Sequence, residues 1–333
     1  MNRQIVLASR PEGLPALDNF ALVSGDMPVP GPGQFLLAHH YLGLAPAARI
    51  RMGAARSYAP PLPIGGVIYG QAVGRVGASR HPQFQEGDLV VSTDAGWQEY
   101  SVSDGARASR IDAAIAPERV WLGALGVSGL TAYVGLLDVG GPRATDTVVV
   151  SAAAGAVGSA VGQIARIKGC RVVGIAGGSA KCRYVTQELG LDASVDYHAA
   201  DFARQLADAC HAGIDLYFDN VGGAVRDTVW PLMNDFGRVV VCGQISEYGA
   251  TAPAAGPGWF SLLTKRLSVR GFLLRDHEER HAAAVADMSR WYREGRIKGR
   301  EQIVEGLEQA PAAFIRMLQG GNLGKTLVRL TTS

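Results

Sequence analysis

Two hydrophobic rhythms divide the chain. Up to about residue 118 the apolar runs are short and broken by Gly and Pro, as in PVPGPGQFLLAHHYLGL, PPLPIGGVIYGQAVGRVGAS and FQEGDLVVSTDAGWQEYSV. Such runs predict a β-barrel or sandwich. From about Thr145, strand-like and helix-like stretches alternate. TVVVSA is β-branched, and GSAVGQIARIKG sets Val161, Ile164, Ala165 and Ile167 near one helical face. RVVGIAG, ASVDY, DLYFDNV, GRVVVCGQI and LSVRGFLL predict further strands. SAKCRYVTQELG, DFARQLADAC and AVRDTVWPLMNDF predict helices between them. The expected fold is α/β: a doubly wound, Rossmann-type parallel sheet preceded by a β domain. The tail from Lys298 predicts a helix over AAFIRMLQGG and a last strand over KTLVRL. The uncharged stretch Val120 to Leu137 is rich in Gly, Ser and Thr. It reads as a buried helix at a domain junction, since a membrane span needs about 20 strongly apolar residues.

The first strand–helix junction of the alternating part carries Ala154-Gly155-Ala156-Val157-Gly158. Glycine permits a sharp bend and lets a pyrophosphate approach without a Cβ in the way. The following helix offers amides and a positive dipole end to the phosphate, and Gly162 would let helix and strand pack closely. The spacing AxxGxxG, at Ala152, Gly155 and Gly158, is a variant of the dinucleotide fingerprint. By itself it also fits a tight turn with no ligand; a full βαβ unit with further strands favours a dinucleotide.

About 20 residues beyond such glycines, an acid normally holds the ribose 2′-hydroxyl of NAD. Here that place reads Gly177-Gly178-Ser179-Ala180-Lys181. A lysine and a serine hydroxyl at a helix start would attract a 2′-phosphate that an acid would repel. Tyr197, ending the third strand, adds a hydroxyl on the same side. The pattern therefore favours NADP(H), although Lys181 also suits an ordinary solvated helix position.

Composition narrows the class. The 333 residues are 47% hydrophobic and 19% charged with a formal net charge of +2, and no basic block appears. Nucleic acid and acidic membranes are not expected partners. Four cysteines, Cys170, Cys182, Cys210 and Cys242, lack CxxC spacing, and the N-terminus has no long apolar segment. Disulfides are not expected, and the default location is the cytoplasm. No metal site is expected either. Residues 1–118 contain no cysteine, and His39 and His40, adjacent in a strand, point to opposite faces. Without a Lewis acid, reduction of a carbon–carbon double bond next to a carbonyl is easier to arrange than alcohol oxidation. It needs a hydrogen-bond donor for the enolate oxygen and a proton for the α-carbon.

AAAGAVGSAVGQIARIKGCRVVGIAGG, DLYFDNVGG, CGQIS-x-Y, IVEGLEQAPAAF and NLGKTLVRL, with LASRPEGLP, SYAPP, GWQEYSV and GLTAYVGLL, cover nearly the whole chain. Together they closely resemble the zinc-independent medium-chain dehydrogenase/reductases, and within them the NADPH-dependent alkenal/enone reductase group. The resemblance implies a GroES-like β-barrel catalytic domain from residues 1–122 and 298–333, with a Rossmann NADPH-binding domain at 123–297 and the active site in the cleft. It implies that Gly155, Ala156, Val157 and Gly158 hold the pyrophosphate, and that Gly178, Ser179, Lys181 and Tyr197 hold the 2′-phosphate side. Asn220 would sit near the cofactor ribose. Cys242, Gly243, Ile245 and Ser246 would run beside the nicotinamide, with Phe272, Leu273, Leu274 and Asn322 also lining the cofactor. It further implies a homodimer through the Rossmann sheets.

One departure stands out. Where the family usually reads Asp-Pro-Tyr-Met-Arg-Gly-Arg-Met, this chain has Ala45-Pro46-Ala47-Ala48-Arg49-Ile50-Arg51-Met52. A wider cleft is expected there, and a polarising donor from elsewhere: Tyr58, Tyr248 or the cofactor ribose. Asp219 is expected to brace its loop. Cys242 is expected to pack, and Trp259 and Phe260 to form a lid in a Gly/Pro-rich loop. The expected activity is NADPH-dependent reduction of an α,β-unsaturated ketone or aldehyde, a small-molecule substrate. A quinone reductase and a non-catalytic NADPH-binding protein are the alternatives.

Overall fold

A computed structural model describes residues 1–55, 57–250 and 255–330. The strands in chain order are β1 (Asn2–Leu7), β2 (Phe20–Gly25), β3 (Phe35–Gly43), β4 (Gln71–Ser79), β5 (Leu89–Ser92), β6 (Tyr100–Ser103) and β7 (Ala108–Arg110), with the short helix α1 (Ala47–Met52) after β3. Helix α2 (Val127–Tyr133) then leads into β8 (Thr147–Val150), α3 (Ala156–Ile167), β9 (Arg171–Ala176), α4 (Ser179–Arg183), β10 (Ala193–Asp196) and α5 (Phe202–Ala209). β11 (Ile214–Asp219), α6 (Gly223–Val229), β12 (Met233–Val241), α7 (Trp259–Lys265), β13 (Ser268–Gly271) and α8 (His281–Arg293) follow. The tail adds β14 (Glu301–Glu305), α9 (Ala310–Leu318) and β15 (Lys325–Arg329).

The chain forms two compact units, one of residues 1–123 with 301–333 and one of residues 124–300. In the first, GroES-like unit, β1 and β2 form a two-stranded sheet. A larger sheet runs β14-β15-β3-β4-β5-β7, with β6 also on β3. The tail is integral, because β15 lies inside the sheet, paired with both β14 and β3. Its helix adds Phe314, whose ring meets Trp97 edge-on at 5.3 Å, while Trp97 stacks on Phe20 at 5.9 Å. These rings are buried with Ile5, Leu42, Leu44 and Ile68. Aromatic packing of this kind adds about 0.5–1.5 kcal/mol per pair beyond area burial.

The second unit carries a six-stranded parallel sheet in the order β10-β9-β8-β11-β12-β13. Numbered from its own first strand this is 3-2-1-4-5-6, the doubly wound arrangement. Val148, Val149 and Val150 are fully buried, as a strand covered on both faces requires. In α3, Val161, Ile164 and Ala165 are buried together, the face expected from spacing.

Three local expectations differ from the structure. The helix expected over AVRDTVWPLMNDF stops at Val229, because Pro231 removes an amide and Met233 already pairs with Ile214. Gly162 does not face the strand. A side chain there would meet Leu191, whereas one at Gly158 would run into the Ala152 carbonyl. Trp259 and Phe260 begin α7 instead of sitting in a loop. The loops around residues 45–60 and 248–262, which by sequence are expected to shape the substrate pocket, include residue 56 and residues 251–254, which lie outside the described residues. Among the described residues no helix is long and apolar enough to cross a membrane.

Candidate functional site

In a doubly wound sheet, ligands gather outside the carboxyl ends of the strands, where the strand order reverses. Here that point lies between β8 and β11. The chain leaves β8 through Ser151 and turns at Ala152, whose φ of +50° is left-handed; this costs an alanine about 1 kcal/mol. Gly155 caps α3 with extended backbone, and the first helical bond runs from Ser159 N–H to Gly155 O. The amides of Ala156, Val157 and Gly158 precede that bond and point out of the helix start. Gly158 has to lack a Cβ, since Ala152 O and Ala153 Cα, at 3.0 Å, already fill that space. The turn is thus bare and lined with amides, a cradle that fits a pyrophosphate.

Across the switch point, β11 ends in Asp219. Its Oδ1 accepts hydrogen bonds from Tyr217 Oη at 2.8 Å, Val221 N at 2.9 Å, Gly222 N at 3.0 Å and Ser151 Oγ at 3.1 Å. Asp219 braces its loop as expected, and Ser151 joins it to β8. Asn220 completes the join, its amide N donating to Ser151 Oγ and its Nδ2 to Ser151 O, both at 2.8 Å. The loop after β12 is laced onto the same place. Cys242 N and Gly243 N donate to Asp219 O, Ile245 N to Asn220 O and Ser246 N to Val221 O. Glu247 accepts from Gly223 N at 2.8 Å and pairs with Arg226 at 3.1 Å. Gly155 to Gly158, Asn220 and residues 242–246 are therefore brought to one edge. Burial pushes the Cys242 thiol up to about 12, which suits packing and not a thiolate. The Tyr248 hydroxyl accepts Gln244 N–H at 3.3 Å, so this ring folds back over its own loop.

At the neighbouring end of β9, Gly178 has φ +86° with open space where a side chain would stand. Ser179 and Lys181 start α4, and Tyr197 follows β10, with its ring 4.2 Å from that of His198. Burial lowers the Lys181 ammonium below the usual lysine range and raises the Tyr197 phenol. Sequence reasoning missed Asp196. Its Oδ1 accepts Gly178 N at 2.8 Å and His198 N at 2.9 Å, and the Gly178 bond is the largest influence holding its pKa down. An acid does stand near this corner, but the backbone consumes it. No sequence signal marked it, because Asp196 lies inside the predicted strand ASVDY and only the fold brings it beside Gly178.

Phe272 follows β13, whose Gly271 pairs with Val241 at this same end of the sheet. The Phe272 ring packs where a Gly135 side chain would be, 2.5 Å from its Cβ position, and Leu273 and Leu274 are half-buried beside it. Asn322 and Tyr58 belong to the other unit. Asn322 Nδ2 donates to Gly324 O at 3.0 Å, and Tyr58 is 42% exposed. In that unit α1 begins at Ala47, and Arg49 grips Gly13 O through Nε at 3.0 Å and Nη2 at 2.6 Å. Arg10 ties the same segment down through Met52 O, Gly53 O and Leu62 O, each at 2.9 Å. His39 is fully buried. Its Nδ1 donates to Gln98 O at 2.7 Å, which leaves Nε2 to accept from Ser101 Oγ at 2.7 Å. Burial lowers it to about 4, so it is a neutral core group. Among the described residues no cluster of three or more His, Cys, Asp or Glu is placed to hold a metal ion.

Family models match both parts of the chain: the N-terminal domain of oxidoreductase over residues 3–111, and the zinc-binding dehydrogenase over residues 156–290. The chain is 47% identical to the NADPH-dependent curcumin reductase of Escherichia coli K12, covering 99% of this chain and 97% of the relative. It is a medium-chain dehydrogenase/reductase of the alkenal/enone reductase group. Prostaglandin reductase 1 of Rattus norvegicus matches this reductase at 40% identity over 96% of each chain. CurA from Vibrio vulnificus, solved in complex with NADPH, superimposes with a TM-score of 0.94 at 48% identity, covering 99% of this chain and 100% of that one. A Pseudomonas syringae quinone oxidoreductase, at 21% identity and TM-score 0.80, shares the fold.

Proposed function

We propose that this reductase uses NADPH to saturate the carbon–carbon double bond of an α,β-unsaturated ketone or aldehyde. The observation that carries the reading is near-full-length likeness to the curcumin and prostaglandin reductases, on a chain whose adenosine corner presents Ser179, Lys181 and Tyr197. The α3 amides of Ala156, Val157 and Gly158 hold the pyrophosphate, and the corner residues hold the 2′-phosphate. Asn220 flanks the ribose, and the 242–248 loop follows the nicotinamide. NADPH supplies a hydride for the β-carbon of the enone. The protein's task is then to stabilise negative charge on the carbonyl oxygen and to deliver a proton to the α-carbon. Tyr58 and Tyr248 are the proposed hydroxyl donors, and no zinc takes part.

The same reading makes the enzyme a homodimer. Edge strand β13 is exposed along its length, with Val269 43% exposed, and α7 presents Trp259, Phe260 and Leu263, each more than 70% exposed. An open strand edge beside an apolar patch favours pairing with a second copy. None of the four cysteines is disulfide-bonded, which fits a cytoplasmic protein.

The test is NADPH oxidation against enals, enones, aryl enones and quinones, with NADH as control. Saturated carbonyl products formed only with NADPH are expected. Turnover of quinones alone would replace this reading with quinone reduction. Full turnover in both Tyr58→Phe and Tyr248→Phe would remove the tyrosines as donors.

A further inference from the structure

The loop after β12 changes its means of attachment part-way along. Up to Ser246 its backbone amides bond to the chain that leaves β11. From Glu247 onward the backbone bonds run inside the loop, from Glu247 N to Gln244 O at 2.8 Å and from Ala250 N to Glu247 O at 3.0 Å. There a side chain takes over the attachment. Glu247 Oε1 accepts from Gly223 N at 2.8 Å and from Arg226 Nη1 at 3.1 Å, both on α6.

Arg226 is 8% exposed, and each guanidinium nitrogen has an acceptor. Nε donates to Asp227 Oδ1 at 3.0 Å, Nη1 to Glu247 Oε1, and Nη2 to Ala255 O at 3.2 Å. One planar cation thus holds the chain after β12 at two points, Glu247 and Ala255. Such a fork fixes direction as well as distance, which an ammonium does not. The fit between loop and helix is close. A Cβ at Gly222 would stand 2.8 Å from Glu247 Oε1 and 3.2 Å from Gln244 Cβ, and one at Gly223 would stand 2.9 Å from Ser246 Oγ. Both glycines have positive φ, +73° and +51°, so this turn is bare where the loop lies on it.

We propose that Arg226 and Glu247 form a clasp that positions the loop from Cys242 to Tyr248 for hydride transfer. They are positioning residues, acting through the loop and not on the reacting atoms. This rests on the reading that the loop follows the nicotinamide. The proposed phosphate sites at the starts of α3 and α4 share no residue with the clasp. Loosening it should therefore spare nucleotide affinity and disturb the placement of the reacting ring.

Glu247→Ala removes both hydrogen bonds, whereas Glu247→Gln keeps an acceptor of the same reach. In Glu247→Ala, kcat with NADPH and an aryl enone should fall by about 10- to 100-fold, the scale of a small misplacement of reacting groups. The Kd of NADPH from calorimetry should stay within about twofold of wild type. The fluorescence of bound NADPH, which reports the surroundings of the nicotinamide, should shift. Glu247→Gln should keep the wild-type fluorescence and hold kcat within about fivefold, since it loses only the charge assistance. Arg226→Lys, which keeps the charge and loses the fork, should follow Glu247→Ala, and it carries the comparison should Glu247→Ala fail to fold. A lower Tm with kcat and fluorescence unchanged would make the pair a fold contact only and overturn the proposal. A Kd that rises in step with the loss of kcat would overturn it too. If wild type reduces no enone, the enone reading fails separately. The clasp is then judged by fluorescence: a shift in Glu247→Ala that Glu247→Gln lacks supports it, and the same emission in all three proteins overturns it.

Discussion

At the scale of single residues, the corner proposed to select the nucleotide rests on few atoms. Lys181 stands at the start of α4 where an NAD enzyme would carry an acid, and Asp196 is turned inward to the Gly178 and His198 amides. Lys181→Ala should weaken NADPH by about 1.5–3 kcal/mol, roughly 10- to 100-fold, and leave NADH nearly unaffected; calorimetry with both nucleotides checks this. His39 makes a different prediction. Its folded pKa, about 4, lies below the ordinary 6.5. The unfolded chain therefore binds the extra proton first, and stability is lost as pH falls from about 6.5 toward 4, by about 3 kcal/mol in all. Urea unfolding of wild type and His39→Gln across that range should show the steeper loss in wild type. The lysine was legible because an expected acid was missing. Asp196 was not, since only the fold brings the end of β10 beside Gly178.

Among the elements, legibility followed periodicity. The six strands of the parallel sheet and the buried face of α3 announce themselves by β-branched runs and by helical spacing. The start of β12 did not, because MNDF reads like the end of a helix until Pro231 is given its weight. Phe236, at φ +62°, then breaks the strand just before Gly237. Helix α7 was hidden by the Gly/Pro-rich stretch before it, and so was the meaning of its aromatics. Trp259 and Phe260 stand on the same unit as the open edge of β13, which suits an interface better than a lid. Trp259→Asp with Phe260→Asp should convert the proposed dimer to monomers of unchanged fold, read by sedimentation and circular dichroism. A dimer that survives both charges would place its interface elsewhere.

For the whole molecule, the rhythm change near residue 118 and the tail resemblance carried the architecture, since short β runs and βα alternation cannot share one sheet. The tail's return to the first unit was legible only through resemblance. No local pattern shows that KTLVRL lies between β14 and β3, yet that placement buries Lys325 and closes the core with Phe314. The most direct measurement supplies NADPH carrying deuterium at the transferred position and locates the label in the product of an aryl enone. Deuterium on the β-carbon of a saturated ketone is the result predicted. Deuterium on a carbinol carbon, or an enone returned unlabelled, would contradict it.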